Sequence, residues 1–198
     1  MATPLQVWFE FASTYSYPAL LRVESLARAE RVALAWRPFL LGPIFRSQGW
    51  NDSPFNIYPV KGRYMWRDMA RICADDGIPL RHPSQFPRNG LLAARVACCF
   101  AEAPWVGAFV RAVYTANFAE DADISATDTV ARCLACAGED PTALIARAQS
   151  SESKDRLRSQ TDEAIRLGIF GSPTFVVGDE LFWGNDRLEG ALRWARGD

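Results

Sequence analysis

Strand-forming patterns in this 198-residue chain lie only near its two ends, with roughly 120 residues of helical periodicity between them. At the front, residues 5 to 11 form an apolar, aromatic run of strand length. Ser16 to Ala29 follows, with Leu20, Leu21, Val23, Leu26 and Ala27 on one side at helical spacing, and Val32 to Trp36 is a second short strand ended by Pro38. Strand, helix and strand in succession make a βαβ unit with a right-handed crossover and parallel strands. At the back, the strand after Pro173 and the run Glu180 to Trp183 join at Gly178-Asp179, a hairpin signal, and Arg187 to Arg196 reads as the last helix. The expected fold is α/β. One discontinuous domain, residues 1–41 plus 168–198, is interrupted by an inserted all-helical domain at 42–167.

The most informative junction is Ser13-Thr14-Tyr15-Ser16, where the first strand turns into the first helix. The leading N–H groups of a helix have no intrahelical partners and its dipole is positive there, so the position suits an anion such as a thiolate. This strand, turn and helix resemble the opening of a thioredoxin-type fold, whose Cys-x-x-Cys occupies the same turn. Here the four residues carry no sulfur. A thiolate at this place would have to arrive with another molecule. The alternative, that Ser13 or Ser16 serves only as the helix N-cap, stays open on the sequence.

Between the ends, Gly42 to Pro59 is rich in Gly, Pro, Asn and Asp and carries Phe45, Trp50, Phe55 and Tyr58. It reads as a long loop whose aromatics line or support a pocket. From Lys61 the pattern is helical, with Met65, Met69, Ile72 and Cys73 recurring until Gly77-Ile78-Pro79. Five further helices are expected near 91–103, 106–118, 126–137, 141–149 and 153–167.

Five cysteines at 73, 98, 99, 133 and 136 read as reduced thiols, not a disulfide framework. Cys133 and Cys136 match Cys-x-x-Cys but lie inside an alanine-rich helical run with no second pair or histidine, so they read as small apolar residues and no metal site is expected. His82, the single histidine, has no partners nearby in sequence. A formal net charge of -1 and the absence of a basic block argue against nucleic acid as a partner. The start of the chain lacks a basic region followed by an apolar one, and Leu91 to Val113 is broken by Arg95, Glu102 and Arg111. The expectation is a cytoplasmic protein with no membrane partner.

Near the end, Pro173 stands immediately before the residues of a strand, and Asp186 at the start of the last helix is a good N-cap candidate. The strings from Phe9 to Tyr17, Pro59 to Tyr64, Gly171 to Thr174, and above all Phe182-Trp183-Gly184-Asn185-Asp186-Arg187-Leu188 resemble the 2-hydroxychromene-2-carboxylate isomerases, which are related to kappa-class glutathione transferases. The resemblance spans nearly the whole chain.

It implies a thioredoxin-like, homodimeric isomerase of aromatic degradation with glutathione as cofactor and a small aromatic carboxylate as substrate. The reaction interconverts 2-hydroxychromene-2-carboxylate-type hemiketals and trans-o-hydroxybenzylidenepyruvates by cis-trans change. It also implies roles. Ser13 is catalytic and faces the glutathione sulfur. Lys61, Ser172, a cis-Pro173, Trp183, Gly184, Asn185 and Asp186 hold glutathione, with Asp186 accepting from its α-amino group. Arg46, Asn51 and Phe86 lie near the substrate, Phe86 standing where the family has a tyrosine. Two other readings are a kappa-like glutathione transferase or peroxidase, which would consume glutathione, and a non-catalytic module that pairs a peptide with the backbone beside Pro173.

Overall fold

Leu5–Phe9 (β1) alternates its side chains between two faces, and both faces are covered. Val7 and Phe9 enter the main core, whereas Trp8 enters a second, smaller cluster on the opposite side. A strand buried on both faces reads as the continuous apolar run seen in the sequence. The structure, a computed structural model, describes residues 3–197. Residues 1, 2 and 198 lie outside the described residues, and with them the outermost ends of the two expected segments and the first part of the stretch examined for a leader.

After β1 come Ser16–Glu30 (α1) and Leu34–Pro38 (β2). Then follow Leu41–Ser47 (α2), Pro54–Ile57 (α3), Pro59–Asp75 (α4), Leu91–Cys99 (α5), Val106–Phe118 (α6), Thr127–Cys136 (α7), Pro141–Ala148 (α8) and Ser151–Arg166 (α9). The chain closes with Thr174–Val177 (β3), Glu180–Trp183 (β4), a 3₁₀ turn at Asn185–Arg187 and Leu188–Arg196 (α10). The sheet order is β2-β1-β3-β4, with β1 parallel to β2 and antiparallel to β3, and β3 antiparallel to β4. This is the α/β, thioredoxin-like arrangement expected, with helices between its halves.

Three local differences have physical causes. Pro38, expected to end the second strand, lies within β2 and pairs in register with Phe9. β2 is an edge strand, so the missing proline N–H costs no ladder bond. The stretch 42–59, expected as a loop, is mostly α2, α3 and the start of α4. Pro54 and Pro59 stand at the first turns of α3 and α4, where their fixed φ favours the helix, and Ser53 caps α3 by accepting from the Phe55 N–H at 3.3 Å. Finally, Asp186 is not an N-cap, because the chain enters α10 through the 3₁₀ turn Asn185–Arg187, which holds Asp186 inside it, and α10 begins after Arg187 with no side-chain cap bond.

The helices between the sheet halves do not keep a separate interior. α5 and α9 pack on β2, α6 packs on α1, and residues from α4 to α9 share one buried cluster with Val7, Phe9, Leu20 and Phe175. On the other face of the sheet, Trp8, Phe39, Ile44, Ala164, Ile169 and Val176 form the smaller cluster beneath α2 and α9.

Candidate active site

The turn after β1 is fastened from α6. The Tyr114 hydroxyl donates to the Glu10 carbonyl at 2.9 Å, and Asn117 Nδ2 donates to the Phe11 carbonyl at 3.1 Å. Asn117 is in turn held by the buried Arg88, whose Nη1 lies 3.2 Å from its Oδ1 and which is ion-paired to Asp121. The helical segment thus sets where Ser13 stands.

Neither Ser13 nor Ser16 caps α1. Tyr15 holds the N-cap position without a side-chain bond. Instead the Ser13 hydroxyl donates to the Ser172 carbonyl at 2.8 Å, and the Ser16 and Ser172 hydroxyl oxygens lie 2.7 Å apart. Ser172 Oγ also accepts from the Glu10 N–H at 2.9 Å. The Ser172–Pro173 peptide bond is cis, as is Phe86–Pro87, which the sequence had not suggested. The Pro173 carbonyl accepts from the Gly184 N–H at 3.0 Å, tying the start of β3 to the end of β4.

These elements frame a cleft of about 710 Å³ at the N-terminus of α1. Ser13, Lys61, Phe86, Ser172, Trp183, Gly184, Asn185 and Asp186 all line it. Pro173 is buried behind the wall. Arg46 lies instead in a neighbouring cavity of about 280 Å³, and Asn51 is exposed and lines neither. The aromatic side chains expected from 42–59 are present as Phe45, Trp50 and Phe55. Trp183 packs edge-on against Phe170, ring centres 4.8 Å apart, and its indole lies so close to Gly171 that a Cβ there would collide with it. Gly184 has φ +115°, and a Cβ there would meet Asp186 Oδ1 at 2.7 Å. Glycine is therefore required where the Trp-Gly-Asn-Asp string turns. Asn185 is locked from behind, its Oδ1 accepting from Arg22 Nη2 at 2.9 Å.

Four cleft residues were not legible as site residues. Tyr15 donates to Asp68 Oδ2 at 3.1 Å, and burial together with the Asp68 charge pushes its phenol well up, so it stays protonated. Thr14 contributes a buried hydroxyl with no hydrogen-bond partner among the described residues. Glu10 lines the cleft, and burial raises its carboxyl to about 7 against a smaller opposing effect from the Ala12 amide. An acid within an apolar run of strand length was the one signal available for it.

A family model described as the DSBA-like thioredoxin domain matches residues 4–193. The chain belongs to that family. Within this DSBA-like thioredoxin family it is 28% identical over 190 residues to a 2-hydroxychromene-2-carboxylate isomerase of Sphingobium xenophagum, covering 96% of each chain. A solved structure of 2-hydroxychromene-2-carboxylate isomerase superposes with a TM-score of 0.84 at 30% identity, covering 98% of this chain and 94% of the other. Glutathione S-transferase kappa 2 of Caenorhabditis elegans is 25% identical, over 93% of this chain and 88% of its own. The isomerase likeness and the kappa relationship expected from the motif strings are therefore both present. Among the described residues all five cysteines are free, no cluster suits a metal ion, and no helix is long and apolar enough to cross a membrane.

Proposed function

We propose that the cleft binds glutathione and that the protein is a glutathione-dependent cis-trans isomerase of 2-hydroxychromene-2-carboxylate-type hemiketals and trans-o-hydroxybenzylidenepyruvates. The observation that carries the reading is the sulfur-free pair at the head of α1: the Ser13 hydroxyl against the Ser172 carbonyl, 2.8 Å apart, in the wall of an aromatic cleft. The names of the isomerase and kappa relatives support it.

The wall fits such a tripeptide. Ser172 presents a backbone carbonyl beside Pro173, where a peptide N–H can pair as at a strand edge. Asp186 offers an exposed carboxylate to an ammonium group, Lys61 a cation to a carboxylate, and Thr14 an orphaned hydroxyl. Trp183, Gly184 and Asn185 shape the wall between them. Phe45, Phe55 and Phe86 suit a flat aromatic substrate, while Arg46 and Asn51 stand outside the cleft.

When bound, glutathione supplies a thiolate that adds to the conjugated double bond, leaves it single while it rotates, and departs unchanged. Ser13 has one O–H to give. Without a ligand the Ser172 carbonyl takes it; once a peptide N–H occupies that carbonyl, the Ser13 proton is free to turn to a sulfur anion. The α1 N-terminus and this hydroxyl each stabilise a thiolate by about 1 kcal/mol. Together they lower a thiol from ~8.5 by one to two units and make a large fraction of it ionised at neutral pH.

A homodimer and a cytoplasmic setting, where free thiols and reduced glutathione persist, belong to the same proposal. The test is Ser13→Ala. Turnover with glutathione should drop by about 5-fold with the fold intact by circular dichroism, since a hydrogen bond of about 1 kcal/mol to the thiolate is lost. Unchanged kcat/KM would remove Ser13 from the mechanism. The kappa likeness favours one second reading, a transferase or peroxidase, in which glutathione leaves as a conjugate or a disulfide; product analysis separates it from an isomerase that returns glutathione.

A further inference from the structure

A thiol that becomes a thiolate inside a cleft must hand its proton to something. The residues assigned above bind and polarise; none of them accepts a proton. Tyr15 is itself a donor to Asp68, the Ser13 hydroxyl is a donor, and Lys61 is a cation.

Glu10 occupies the place such an acceptor needs. It directly follows β1, three residues before Ser13, and lines both the main cleft and the smaller cavity beside it. Its main chain is fixed on both sides: the N–H donates to Ser172 Oγ at 2.9 Å, and the carbonyl accepts from the Ser13 N–H at 3.0 Å and the Tyr114 hydroxyl at 2.9 Å. Ser172 therefore links Glu10 and Ser13 directly, one through its hydroxyl and the other through its carbonyl. Phe9 and Phe11 on either side of it enter the main core, while Glu10 lines the smaller cavity together with Leu41, Phe45 and Arg46 of α2. Among the described residues no ion pair neutralises its carboxyl.

We propose that Glu10 is the proton acceptor of the cleft: its carboxylate takes the proton of a glutathione thiol docked at Ser13 and returns it when the thiol leaves. The inference rests on the functional reading given above. In the forward step the S–H bond breaks, its electron pair stays on sulfur, and the proton bonds to a Glu10 carboxylate oxygen. Release reverses each change, so nothing is oxidised and no other reactant is needed. Electrostatics favour the exchange, because a thiolate and a carboxylate in one desolvated cleft repel and settle by sharing one proton. The group's raised affinity for a proton, near neutrality, matches what an acceptor from a thiol requires.

The other ionisable groups around the two cavities are Tyr15, Arg46, Lys61, Asp68, Tyr114 and Asp186. Burial keeps the Tyr114 and Tyr15 phenols protonated, and the two cations cannot take a proton. Asp68 accepts from Tyr15, and Asp186 lies beside Arg187, with Nη2 of that arginine 3.5 Å from Oδ2.

The test counts protons. Wild-type protein is titrated with glutathione at about pH 8, one unit above the Glu10 carboxyl, in two buffers of different ionisation heat, while the ultraviolet absorbance of the thiolate is followed. The expected result is thiolate formation with far less than one proton released to the buffer per thiolate. Glu10→Gln should release close to one per thiolate. A full proton per thiolate from the wild type would overturn the role of Glu10, and this holds even if the variant does not fold. Absence of glutathione binding, or binding with no thiolate, would overturn the functional reading itself.

Discussion

At the scale of single residues, Glu10 ties function to stability. Its carboxyl moves from an ordinary value of 4.5 to about 7 on folding, because burial disfavours the charge. Between those values the unfolded chain has already lost its proton and the folded chain has not, so stability falls as pH rises through that window. At about 1.4 kcal/mol per unit the loss is on the order of 3 kcal/mol, reduced by whatever water the cleft admits. Glu10→Gln should therefore match the wild type near pH 4.5 and be the more stable protein near pH 8 by denaturant titration. Parallel stability curves for the two proteins would contradict this burial. Ser13 and Ser172 were legible in the sequence because a strand-to-helix turn and a Ser-Pro before a strand are local patterns. Glu10 was not, since its place in a cavity depends on walls supplied by α2, α3 and α4. That Arg46 and Asn51 stand outside the cleft was hidden for the same reason: their places follow from how α2 ends and where Gly49 turns the chain, with φ +81°.

Among the elements, α3 and the start of α4 form a wall of the cleft that reads as loop in the sequence. Helical periodicity needs several turns to show, and α3 has only 4 residues. Pro54 and Pro59 read as loop formers in the sequence, although proline at a helix start is as much a beginning as an interruption. The two helices meet at Gly62, where a Cβ would run into the Phe55 carbonyl. Gly62→Ala should push Phe55 in the cleft wall, cost about 1 to 3 kcal/mol of stability and raise the substrate KM more than it lowers kcat. Denaturant titration and steady-state kinetics check both, and an unchanged KM would mean that Phe55 does not shape the cleft. The α7 pair offers the opposite case. Cys133 is buried and Cys136 exposed, with burial raising the Cys133 thiol to about 11. Neither lines the cleft, so Cys133→Ala with Cys136→Ala should leave turnover unchanged, and a lost activity would give that pair a function.

For the whole molecule, the distribution of strands to the two ends was the decisive sequence signal and sufficed for the α/β class. What it could not convey is that the helices between share the core of the sheet. Periodicity tells which side of a helix is apolar but not what that side meets. Tyr114 and Asn117 of α6 hold the carbonyls of Glu10 and Phe11, so the helical segment maintains the turn on which the chemistry depends. Arg22 does the same at the far wall, linking α1 to Asn185, Glu189 and Asp76. The central claim is that this assembled cleft works with a borrowed sulfur nucleophile. The most direct measurement is the interconversion of 2-hydroxychromene-2-carboxylate by the purified protein with and without reduced glutathione, with free thiol assayed before and after many turnovers. The account predicts negligible turnover without glutathione and an undiminished thiol at the end; equal rates in its absence would contradict it.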